Sequence, residues 1–179
     1  MPRVDFDQLP DEARLWIFTA ERSLSDAEQA QLLTEVDRFI GQWGAHDLPL
    51  TAGRELRYDR FLFVAVDQRK AGPSGCSIDA LVRQAKALEQ EMGIELVNHA
   101  PVVFRKGSAI ARVPRDQFAE LAAAGTVGLE TTVFDNTLTR VGDVRAGRWE
   151  TRLANSWHAR AFFSLADPPP PTPLAPPVF

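Results

Sequence analysis

Apolar residues recur along this chain at two spacings, and the alternation between them lays out the elements. Leu15, Trp16, Ile17 and Phe18 form a short run rich in β-formers, which predicts a first strand over residues 14–19, buried on both faces. Ser25 followed by Glu28 makes a capping box, and Leu33, Val36, Ile40 and Trp43 then recur at helical spacing. A helix over residues 26–42 follows, stopping near Gly44. Residues 51–58 and 61–67 read as two strands joined tightly around Asp59. Ile78, Leu81, Val82, Ala85, Leu88 and Met92 share one face of a second helix over residues 78–92, ended by Gly93. A second hairpin pairs residues 102–105 with 109–113 across Lys106 and Gly107. Pro114 and Asp116 open a short helix carrying Phe118 and Leu121 and closing at Gly125, and residues 131–134 form a further strand. From Asp135 to Phe163 the periodicity is weak, which predicts an irregular wrap with one short strand around Trp149.

The order strand, helix, strand, strand, helix, strand places the chain in the α+β class, as an antiparallel sheet with its helices packed on one face. Up to Arg105 it is the order of a ferredoxin-like βαββαβ core, with C-terminal additions. The 179 residues suffice for one domain over residues 1–164. Seven of the 13 prolines fall in the last twelve residues, a density that blocks helix and sheet and predicts a disordered tail over residues 165–179.

Charge narrows the partners. Residues 1–99 hold 11 basic and 17 acidic side chains, a balance of −6, whereas residues 100–163 hold 9 and 6, a balance of +3. That surplus is small beside the stripes that bind a phosphate backbone, so no nucleic-acid partner is expected and charge complementarity within the chain is the simpler account. A single cysteine excludes an internal disulfide and any multi-cysteine zinc site. The acidic start (Asp5, Asp7, Asp11, Glu12) is unlike a signal peptide, and no run of about 18 apolar residues occurs. The expectation is a cytoplasmic protein with no membrane partner. No metal or cofactor is implied: His46, His99 and His158 lack ligand spacing, and His46 suits the end of the first helix electrostatically.

The strongest candidate chemistry lies at Gly75, Cys76, Ser77 and Asp79. With Ser77 as N-cap, Cys76 sits just outside the second helix, where unpaired N–H groups and the positive dipole end can hold an anion or lower a thiol's pKa. Asp79 in the same first turn satisfies the dipole and opposes a thiolate. A thiol nucleophile needs a base. His158, flanked by Ser156, Trp157 and Arg160, is the candidate, although aromatics in such a closing segment more often pack than bind. Asn136, at the end of a predicted strand where site residues are frequent, is a further candidate, although Asp-Asn pairs are equally ordinary turn formers.

Trp16, Trp43-x-x-His46, Arg60-Phe61 leading to Ala65-Val66-Asp67, Ser74-Gly75-Cys76-Ser77-Ile78-Asp79, Phe134-x-Asn136 and Ser156-Trp157-His158 together resemble a family of short bacterial proteins. These occur chiefly in Bacteroidetes-like lineages and often carry the label "ABC transporter ATPase". The resemblance runs from about residue 6 to residue 163 and implies that Cys76, Asp79 and His158 share a site. The family's closing motif runs His-x-Arg-Phe, whereas here Ala161 separates Arg160 from Phe162. The ATPase label is not carried by the residues, since no Gly-x-x-x-x-Gly-Lys-Ser/Thr phosphate loop (Walker A) occurs and Lys106-Gly107-Ser108 has the order wrong.

Three functions are therefore open. The first is binding of a small molecule or anion at the start of the second helix, with Gly75, Ser77, Asp79, Asn136 and Arg160 contributing. The second is a thiol-dependent enzyme using Cys76 with His158, and the third is a non-catalytic accessory module that forms a homodimer or docks to a partner.

Overall fold

Leu15 and Ile17 project to one side of strand β1 (Arg14–Thr19), Trp16 and Phe18 to the other, and both sides are covered. The computed structural model describes residues 3–163, so the predicted proline-rich tail lies outside the described residues. Strand β1 pairs antiparallel with β5 (Phe61–Val66), which pairs antiparallel with β4 (Ala52–Arg57) on its other side. Helix α1 (Asp26–Gln42) crosses from β1 to β4, so the first half is a split β-α-β unit.

Helix α1 forms over the predicted residues, with the reciprocal Ser25–Glu28 capping box in place. Its Leu32, Val36 and Ile40 join Leu81, Ala85 and Leu88 of helix α2 (Gly75–Met92) against Phe18, Leu62 and Val64 of the sheet. Helix α2 ends at Gly93 in the left-handed conformation, φ +64°. Between α1 and β4 the short strands β2 (Gly44–Ala45) and β3 (Leu48–Pro49) form a hairpin, with His46 and Asp47 both at positive φ. His46 is therefore a hairpin-turn residue rather than a terminal helix residue, and Gly44 is a strand residue rather than the helix stop. A Cβ on Gly44 would lie 2.9 Å from the Leu48 carbonyl oxygen. The β4–β5 turn is one residue longer, Tyr58 to Arg60, but again has two successive residues at positive φ, Tyr58 at 51° and Asp59 at 56°, with the Arg60 N–H donating to the Arg57 carbonyl (3.1 Å).

The other face of the first sheet, with Leu15, Ile17, Phe61, Phe63 and Ala65, packs against a second sheet. This contains β6 (Val102–Lys106), β7 (Ala109–Val113), β8 (Thr132–Phe134) and β9 (Glu150–Arg152) in the antiparallel order β7-β6-β8-β9. Val103 and Phe134 face the first sheet, and Trp149 joins them there. The alternate residues Val102, Phe104 and Val133 face outward onto Phe118 of α3 (Arg115–Ala123) and Ala159 of α5 (His158–Phe163). The layers thus run helix, sheet, sheet, helix.

The class is α+β with antiparallel sheets, as expected, but the helices do not all lie on one face and the ferredoxin-like core is not completed. Its fourth strand, β6, lies in the second sheet. The free edge of β1 is occupied instead by residues 139–141: the Leu15 N–H donates to the Thr139 carbonyl (2.9 Å) and the Val141 N–H to the Ala13 carbonyl (3.2 Å). The segment expected to be an irregular wrap with one short strand around Trp149 has that strand, β9, and two short helices that were not expected, α4 (Val141–Arg145) and α5.

Candidate functional site: the mouth between the two sheets

Period-two alternation drives the inter-sheet core and also ends it. Thr19 follows Leu15 and Ile17 on the inner face of β1, Arg112 follows Ile110 on β7, and Asn136 follows Phe134 beyond β8. At this end of the sandwich three polar side chains take the place of apolar ones. They line one narrow pocket of about 40 Å³ with Asn98 and His99 from the α2–β6 connection and Trp157 and His158 from the start of α5. A site that holds one water needs at least about 10–15 Å³, so the cavity has room for a small polar group.

Asn136 ties this mouth together. Its Nδ2 donates to Thr19 Oγ1 (3.0 Å), and its Oδ1 accepts from Trp149 Nε1 (2.9 Å). Arg112 donates to Glu95 (2.6 Å), which also accepts from Asn98 Nδ2 (2.9 Å), so the loop that carries His99 is fixed to β7. The Asn98 and Arg112 hydrogen bonds hold the Glu95 carboxyl below its usual range.

His158 is 2% exposed and stacks on Trp157 with ring centroids 3.9 Å apart. Its Nδ1 lies 2.9 Å from Ser156 Oγ, and that hydroxyl donates to the Leu153 carbonyl (3.0 Å). With the hydroxyl proton committed there, Nδ1 is the protonated nitrogen and Nε2 carries the lone pair. Burial pushes the His158 pKa down to about 4; the nearby Asp135 charge opposes the fall and that of Arg115 adds to it. His99, at the rim, is also held below the ordinary histidine value by the protein around its ring. Both imidazoles are neutral at pH 7 and offer a lone pair as well as an N–H.

Helix α2 begins one turn early for the predicted site. Ser74, rather than Ser77, is the N-cap: its Oγ accepts the Ser77 N–H (3.2 Å), and Ser77 Oγ donates back to the Ser74 carbonyl (2.8 Å). Cys76 is therefore a first-turn residue. Cys76, Gly75 and Asp79 are exposed, whereas Ser77 is buried and its carbonyl accepts from Trp43 Nε1 (2.9 Å). Trp43 packs edge-on against Trp16, near the start of β1 and on the helix-covered face. His158 lines a pocket with Thr19, at the end of β1 and on the opposite face. The fold thus brings Asn136 and His158 together and places Gly75, Cys76, Ser77 and Asp79 elsewhere. Arg160 is exposed on α5.

The mouth also contains two residues not foreseen as site residues, Thr19 and Arg112, and Arg60 lies behind Arg112 without lining the pocket. Arg60 is 8% exposed, with Nη1 donating to the Ile110 carbonyl at 3.3 Å. A polar residue ending a period-two apolar run was the signal for Thr19 and Arg112. Among the described residues no group of three or more His, Cys, Asp or Glu is placed to hold a metal ion, and no helix is long and apolar enough to cross a membrane. Comparison with protein-family models, curated proteins and solved structures returned no match.

Proposed function

We propose that this protein binds a small polar molecule at the mouth between its two sheets and does so without chemistry on Cys76. The observation that carries the proposal is the convergence of polar side chains from five separate segments, Thr19, Asn98–His99, Arg112, Asn136 and His158, on one narrow pocket at the end of an otherwise apolar interface. Convergent polar groups in a concave, partly apolar site are the usual make-up of a ligand pocket. The start of α2 offers less: the Ser77 N–H is taken by Ser74, and the Ser77 carbonyl by Trp43.

The placement of Cys76 and His158 at opposite ends and faces of β1 speaks against a thiol–imidazole pair, which needs hydrogen-bond contact. The accessory-module reading has weaker support still. Among the described residues the exposed large apolar side chains are three, Leu48 on β3, Tyr58 in the β4–β5 turn and Leu129 in the α3–β8 connection. The test is a screen of neutral, cationic and anionic small molecules by amide and indole NMR of the labelled protein. Hits should shift Thr19, Asn136, Trp157 and His158 together, and hits that map to Gly75–Ile78 instead would return the site to the start of α2.

A further inference from the structure

Arg60 does not line the pocket itself but lies beside Thr19 and behind Arg112: its carbonyl accepts the Ala20 N–H (2.8 Å), and its charge acts on Arg112. It is buried, and among the described residues its Nε has no hydrogen-bond partner and its guanidinium makes one hydrogen bond, the long one to the Ile110 carbonyl. No carboxylate pairs with it among the described residues, whereas the neighbouring Arg112 is matched by Glu95. A buried guanidinium without a counter-ion is expensive, and desolvation with the repulsion of Arg112 lowers its pKa. Asp135 does not relieve it: the strand alternation turns Asp135 away from the pocket, and its carboxylate accepts from the Thr137 N–H and hydroxyl. A second donor is unsatisfied at the same mouth, since Trp157, which lines the pocket, has a buried Nε1 with no partner.

We infer that the mouth binds the carboxylate group of a small organic acid, which supplies the negative charge that Arg60 and Arg112 lack between them. The inference rests on the pocket assignment above and adds the class of ligand. Arg112, Asn98, Asn136 and the Trp157 indole surround the cavity with N–H donors, and guanidinium and amide groups suit a planar carboxylate. The small cavity, about 40 Å³, suits a planar carboxylate better than a bulkier tetrahedral phosphate. Two other grooves among the described residues lack such an excess: in the one at Phe39 and Trp43, Arg38 pairs with Glu35. In the groove at Tyr58 and Trp149, Arg57 pairs with Glu55, and Arg105 pairs with Glu150 beside it.

The full chain is titrated with acetate, inorganic phosphate and acetamide at constant ionic strength, following the Trp157 indole and Asn136 side-chain amide resonances. Saturable shifts with acetate are expected, with phosphate at least tenfold weaker and neutral acetamide weaker again. R60M and R112M should each weaken acetate binding at least tenfold. R60M should also melt higher than the native protein in anion-free buffer, because it removes an uncompensated buried charge. R148M, whose arginine pairs with Asp143, should bind acetate normally. Acetate binding unchanged in both R60M and R112M overturns the inference, as does tighter binding of phosphate. Neutral or cationic ligands that occupy the mouth while acetate does not would overturn the carboxylate assignment alone. Failure of every ligand class to shift these resonances would overturn the pocket assignment with it.

Discussion

A histidine that is 2% exposed must either find a partner for its charge or give the charge up, and His158 gives it up. Ser156 orients the ring through Nδ1, Trp157 and Phe118 flank it, and Asp135 and Arg115 are the charged groups that reach it, with opposite signs. The folded pKa of about 4 lies below the unfolded value of 6.5, so between those limits the unfolded chain binds more protons. Stability is therefore present above about pH 6.5 and lost as the pH falls toward 4, by about 3 kcal/mol at most from this one group. Glu28, Asp67 and Glu95, whose carboxyls are also held low, lose their contributions at lower pH, beginning near the ordinary carboxylate range. Urea unfolding at pH 4, 5, 6 and 7 separates the two windows. H158Q, which retains a donor for Ser156 and does not titrate, should remove most of the slope between pH 6.5 and 4; an unchanged slope would mean that this burial is not the cause.

Among the elements, what was legible in the sequence depends on how local the determining contacts are. Helix α1 is written twice, in its capping box and in its apolar spacing, and it forms where both say. The start of α2 is ambiguous because Ser74 and Ser77 stand three residues apart and either can cap; the fold uses Ser74 and buries Ser77 behind it. The two roles predict different losses. S74A should cost about 1 kcal/mol, as loss of an N-cap does. S77A should cost less, since the Ser74 carbonyl that it releases still accepts the Ile78 N–H (3.0 Å). Chemical denaturation of the two variants decides, and a larger loss in S77A would restore it as the cap. The longer strands were legible as short runs of β-formers between polar turns, but which sheet β6 joins depends on the distant segment 139–141 that occupies the β1 edge, and no local pattern records that. Helices α4 and α5 hold five and six residues, too few for a helical period to stand out. At the site, Asn136 and His158 were marked by their residue types. Thr19, Arg60 and Arg112 gain meaning only when the two sheets face each other.

The two halves of the molecule share one apolar layer, and the expected consequence is that they unfold together. Phe61 and Phe63 from the first half meet Phe134 and Trp149 from the second, with Trp149 at 4.9 Å from each of Phe61 and Phe63 and 5.0 Å from Phe134. Ion pairs join the acidic first half to the basic second half at Asp11–Arg145 and Glu95–Arg112, both at 2.6 Å, so the opposite charge balances are partly met within the chain. Surface pairs of this kind contribute little each, and the aromatic layer carries the coupling. Trp149 is 2% exposed and also donates to Asn136, so W149A opens a cavity and leaves the Asn136 Oδ1 without its donor. The expected loss is about 3–5 kcal/mol. If each half were held by its own helix-covered face, that loss would fall on β6 and β8 while β1 and β5 stayed protected. With a shared layer, hydrogen exchange in W149A should accelerate in β5 and β6 by the same factor, and thermal unfolding should remain one transition at a lower temperature. Two transitions, or exchange in β5 that does not change, would show that the first sheet with α1 and α2 is stable without the second, and the mouth between the sheets would then be a joint between two domains.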